Sequence, residues 1–89
     1  MSILEEAQRI TDSDRPNAYA HPLDNHTRTA ELWSVYFGFP VTAEQVCFAN
    51  ILQKVSRSMH TITRDTLVDI AGFARNVEKV QDERARRAE

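Results

Sequence analysis

The sequence predicts an all-α fold, a compact antiparallel bundle of about four helices that works as a homo-oligomer. Three observations predict the helical class. Only two glycines occur, Gly38 and Gly72, so few positions invite a break. No segment keeps the period-two alternation of a half-buried strand. Apolar residues instead recur at spacings of three and four, the repeat that lines one side of a helix.

The first helix is expected from about Ser2 to Thr11. Ser2 with Glu5 three residues on is a capping-box pattern, and Ile3, Leu4, Ala7 and Ile10 make its apolar stripe. From Asp12 to His21 the chain reads as a long polar loop. Pro16 disfavours helix at Arg15, and Pro22 suits the first turn of the second helix. That helix is expected over about Pro22 to Phe37, stopped by Gly38, with Thr29, Leu32, Trp33, Tyr36 and Phe37 as its buried side. After the connector Phe39-Pro40-Val41, Thr42 and Gln45 form a capping box that opens the third helix. Its expected core face is Phe48, Ile51, Leu52, Val55 and Met59. A turn around His60 to Thr63 leads to a fourth helix over about Thr63 to Val80, with Leu67, Ile70, Ala71, Ala74 and Val77 as its core stripe. Residues 1–80 thus read as a single helical domain. Residues 81–89 read as a charged C-terminal tail, a frayed helix with no apolar face.

Composition narrows the function classes. Apolar residues make up 42% and charged residues 27% of the 89, within the ordinary globular range. A formal net charge of −2 argues against a protein that coats nucleic acid generally, because such proteins carry a basic excess. Cys47 is the one cysteine, which rules out an intrachain disulfide and a multi-cysteine zinc site. No apolar run approaches the roughly 20 residues of a membrane helix. The N-terminus lacks a signal-peptide pattern. The expected location is the cytoplasm.

Chemistry would sit in two places. On the third helix Asn50, Lys54 and Arg57 project from one side, with Gln53 and His60 beside them. On the fourth, Asp65 and Asp69 lie one turn apart, with Gly72 and Asn76 continuing the stripe. Two carboxylates at that spacing repel unless a cation neutralises them. They would pair with Lys54 and Arg57 across neighbouring helices, or share a metal ion. The plain reading is a salt-bridge network, in which exposed pairs contribute only about 0–1 kcal/mol. The functional one is a cradle in which Lys54 and Arg57 meet phosphate.

The second place is the 12–22 loop, whose roughly ten residues exceed the usual median of about 4–6. It carries Arg15, Tyr19 and His21: a fork donor, an aromatic face and a titratable ring. The plain reading is a surface loop tied down by Tyr19 and two prolines, with His21 as a cap or turn residue. His26 and His60 are expected to face solvent. Cys47 reads as a small core hydrophobe rather than a nucleophile.

Several segments together carry a resemblance: Asp14-Arg15 with Tyr19, His21 and Pro22; Asn25 and Arg28; Leu32-Trp33-Ser34 and Gly38; Lys54-Val55-Ser56-Arg57; and Asp65 through Asp69-Ile70-Ala71-Gly72-Phe73. This succession, over about Ile3 to Ala74, resembles a family of small bacteriophage proteins and is distantly similar to the all-α MazG-like nucleotide pyrophosphohydrolases. It departs from the family pattern at Ala20, where glycine is usual, and at Gln53, where an aliphatic residue is usual. The paired acidic motif with which MazG-like enzymes hold metal is not recognisable.

The resemblance implies a phage-encoded oligomer that acts on or holds nucleotides in the infected host cell. As a binding protein it would sequester a phosphorylated nucleotide or a cyclic-nucleotide immune signal from host defence, with no cofactor and no catalytic residue. Arg15, Lys54 and Arg57 would take phosphate, and Tyr19 would stack on a base. Asn25, Asn50 and Gln53 would read polar edges, with His21 also lining the site. Asp65 and Asp69 would orient the cations or contact ribose. One alternative is a magnesium-dependent pyrophosphohydrolase using Asp65 and Asp69 as metal ligands. The other is an inhibitor that docks on a host enzyme through its loop and tail.

Overall fold

A computed structural model of the protein describes residues 1–13 and 21–89. Among these residues there are four helices and no strand: α1 (Ile3–Asp12), α2 (Pro22–Phe37), α3 (Ala43–Ser58) and α4 (Arg64–Arg87). Arg15 and Tyr19 lie outside the described residues.

Local chemistry sets the helix ends. Ser2 and Glu5 form the reciprocal capping box at the start of α1, and Thr42 and Gln45 do the same for α3. Each box satisfies two backbone N–H groups that the first turn leaves without a helical partner. His21 caps α2: its Nδ1 accepts from the Leu23 N–H at 3.0 Å, and Pro22 occupies the first helical position. Gly38 ends α2 in the left-handed region at φ 79°, where a Cβ would be strained.

The longest helix, α4, is the axis of the fold, and α1, α2 and α3 all pack against it. Ion pairs give the directions. Glu44 near the start of α3 meets Arg84 near the end of α4, while Lys54 further along α3 meets Asp69 nearer the start of α4. These two helices are therefore antiparallel. By contrast Glu6 pairs with Arg64 and Asp12 with Arg75 and Lys79, so α1 runs parallel to α4. The description as an antiparallel bundle fails for α1, whose ion pairs with α4 run in the same order along both helices.

The buried faces differ from those expected. On α2 the buried residues are Leu23, His26 and Ala30, whereas Leu32, Tyr36 and Phe37 are exposed. His26, expected in solvent, is 6% exposed. On α3 the buried residues are Ala43, Val46 and Cys47, whereas Phe48, Leu52 and Met59 are exposed. Both helices carry apolar residues on two opposite sides. A period of 3.6 identifies the sides but does not choose between them. On α4, Thr66, Val68 and Val80 are buried and Leu67 and Ala74 are exposed. Because α4 has neighbours on several sides, its covered surface is broader than one stripe.

The C-terminal segment, expected to fray, is helical to Arg87. Arg84 donates to both Glu44 carboxylate oxygens at 2.7 and 2.8 Å. Arg87 donates to both oxygens of Asp24 at 2.7 and 2.9 Å. Two-pronged pairs of this kind hold geometry better than single contacts. Val80, wholly buried with Leu23 and Ala43, anchors the same end of α4. No helix of the described residues is long and apolar enough to cross a membrane.

Candidate functional site

The buried stripe of α3 continues from Ala43, Val46 and Cys47 to Asn50 and Lys54 at helical spacing, and both of these are half-buried. This part of the polar stripe therefore faces α4. There Lys54 Nζ lies 2.9 Å from Asp69 Oδ2, the interhelical pair that the spacing of the two acidic residues called for. Asp69 borders a cavity of about 80 Å³ shared with Ala7, Ile10 and Thr11 of α1 and with Gly72, Phe73 and Asn76 of α4. That volume is far below the roughly 300–1,000 Å³ of ordinary small-molecule pockets. The pair is chiefly a helix-to-helix contact.

The remaining candidates separate. Gln53, Arg57 and Asp65 are exposed, and Lys54 is engaged by Asp69. His21 and Asn25 sit together in the first turn of α2, where the Asn25 N–H donates to the His21 carbonyl at 2.9 Å.

A second concentration of charge was not singled out from the sequence. His21, Arg75, Lys79, Asp82, Glu83 and Arg86 ring a surface recess of about 210 Å³. Four of these, Arg75, Lys79, Asp82 and Arg86, succeed one another at spacings of four, three and four, which puts them on one side of α4. That spacing was the available signal, but a charged stripe on a helix is ordinarily just a solvated face.

Part of this charge is already used by the fold. Lys79 Nζ donates to the Thr11 carbonyl at 2.6 Å and lies 2.9 Å from Asp12 Oδ1, so it closes the negative end of α1. Arg75 reaches Asp12 at 3.5 Å and also bonds Glu78. Hydrogen bonding from Lys79 holds the Asp12 carboxyl below its usual range. Arg86 and Arg87 together hold Glu83 down to about 2. His21 accepts through Nδ1, which leaves Nε2 as the ring's donor. The ring of groups thus offers two guanidinium forks, an ammonium and an imidazole donor, balanced by nearby carboxylates.

Elsewhere, burial pushes the Cys47 thiol up to about 11, with Glu44 adding to the shift. Burial likewise lowers His26. Among the described residues no three His, Cys, Asp or Glu side chains converge as ligands for a metal ion.

Comparison with known proteins places the chain. The model of a domain of unknown function, DUF6378, matches residues 2–81. The Gene 55 protein of Mycobacterium phage L5 is 43% identical over 83 residues, covering 91% of this chain and 53% of that protein. The Gene 55 protein of Mycobacterium phage D29 is 39% identical over 83 residues, covering 92% and 55%. The chain thus spans about half the length of these relatives. No solved structure matches it significantly. With the family model covering nearly all of the helical domain and phage gene products among its relatives, the chain belongs to the DUF6378 family of bacteriophage proteins.

Proposed function

We propose that this protein binds a phosphorylated nucleotide, or a cyclic-nucleotide signal of host immunity, and sequesters it during infection. The observation that carries the reading is the 210 Å³ recess with His21, Arg75, Lys79 and Arg86 around it. Guanidinium forks match phosphate oxygens two at a time, and an ammonium adds a point charge. The recess has room for a phosphate-bearing end rather than for a whole nucleotide, whose remainder would lie along the surface beyond it. An arriving phosphate would take over donors now shared with Glu83, Glu78, Asp12 and the Thr11 carbonyl. The cations that support this reading are those of α4, in place of Lys54 and Arg57.

Binding is favoured over turnover. A MazG-like hydrolase would need Asp65 and Asp69 to hold magnesium through carboxylate oxygens. The Lys54 ammonium, 2.9 Å from Asp69, neutralises the carboxylate such an ion would require.

Calorimetric titration with a panel of mono-, di- and cyclic nucleotides tests the proposal. One class is expected to bind and to be recovered intact after the protein is denatured. Arg86→Ala removes one charge-assisted contact and should weaken that binding about tenfold or more. Absence of uptake across the panel refutes the proposal, and so does release of a cleaved product.

A further inference from the structure

Among the described residues the fully buried apolar side chains are mostly small, and many of the large ones are exposed. The buried apolar residues among those described are three alanines, three valines, one leucine and Cys47. Meanwhile Tyr36, Phe37, Phe39 and Phe48 are each more than half exposed. Small domains bury too little surface to be comfortably stable alone, and one that leaves its rings in water forgoes its largest apolar contributions.

The outward apolar residues are ordered. On α3, Phe48, Leu52, the half-buried Val55 and Met59 succeed one another at spacings of four, three and four, and Ile62 continues the series just past the helix. This is the heptad seam by which one helix packs along another. It lies on the side of α3 opposite Ala43, Val46 and Cys47, and it contains no charged residue. Leu52 is 68% and Met59 82% exposed. On α2, Leu32, Val35 and Tyr36 occupy the side away from Leu23 and Ala30. Phe37 gathers the end of that helix into one aromatic cluster, edge-on to Trp33 and Tyr36 and stacked on Phe39 at 5.8 Å.

We infer that the outward sides of α2 and α3 are a self-association surface, covered by a second copy of this chain. The area fits that occupant. Aromatic side chains bury about 150–250 Å² each, so the four half-exposed rings alone leave on the order of 500 Å² in water. The exposed aliphatic residues beside them bring the total to the scale of the about 800 Å² that each partner contributes to a standard interface. The seam's lack of charge suits self-pairing as well, since a copy laid against it buries no unpaired ion. This assignment does not depend on the nucleotide reading.

Sedimentation equilibrium of the full chain at tens of micromolar tests the inference. The expected mass is twice the 10.2 kDa of one chain. Leu52→Glu puts a charge into the seam at an exposed position and should return the mass to that of one chain with its helical circular dichroism intact. Leu4→Glu, at a similarly exposed leucine of α1, should leave the mass doubled. A wild-type mass of 10.2 kDa across the concentration range overturns the inference whether or not the variants fold, and would leave the surface to a different protein. A doubled mass that Leu52→Glu does not change overturns it too.

Discussion

Cys47 shows how position overrides residue type. A thiolate is the reactive form of cysteine, and a catalytic or redox-sensing thiol is one whose pKa has been lowered in an electropositive, accessible place. Cys47 has the opposite surroundings: it is wholly buried, and its pKa is raised to about 11. The folded protein should not react with a thiol reagent such as Ellman's at pH 8, whereas the denatured chain should react fully and at once. Rapid labelling of the native protein would contradict the burial described. Lys54 makes the same point for charge. From the sequence its ammonium could meet either a ligand phosphate or the acidic pair of the fourth helix, and the fold places it against Asp69.

At the scale of elements, α4 carries a cost that the fold does not require. Gly72 lies in its interior, where glycine is less favourable than alanine by roughly 0.5–1 kcal/mol. A Cβ added there would meet only the Thr11 methyl carbon at 3.8 Å, an ordinary van der Waals contact. Gly72→Ala should therefore stabilise the protein by about 0.5–1 kcal/mol, read from the urea midpoint at unchanged slope. Destabilisation would mean that α1 sits closer to α4 than described. The starts of α1, α2 and α3 are fixed by signals within a few residues of each other: Ser2 with Glu5, His21 with Leu23, and Thr42 with Gln45.

For the whole molecule, acid should act through the pairs that bind α4 to the other helices. Arg84 holds Glu44 down to about 2, and Arg87 lowers Asp24. A carboxylate whose folded pKa lies below its unfolded value stabilises the fold above the unfolded value, near 4 to 4.5. That contribution is lost as pH falls through the folded value. The buried His26, also lowered, acts with the same sign but earlier, because the unfolded ring takes up a proton as pH drops below about 6.5. Thermal midpoints should thus decline on acidification, first modestly from pH 7 to 5.5 and then steeply between about pH 5 and 2. His26→Gln should remove only the early part of that decline. A midpoint that rises between pH 7 and 4 would contradict both causes.

What the sequence by itself determined was the helical class, the four helices of the described residues and most of their ends. Those depend on spacings and caps that act within one or two turns of chain. It did not determine which side of α2 and α3 faces inward, since Leu23-His26-Ala30 and Leu32-Tyr36, or Val46-Cys47 and Phe48-Leu52, serve the local repeat equally. Nor did it reveal that residues past Val80 belong to the folded helix, or that the cations of α4 gather beside His21. Contacts such as Lys79 with Thr11 and Arg84 with Glu44 join residues 68 and 40 positions apart. Only the packing of distant segments brings such groups together, and no local rule carries that information.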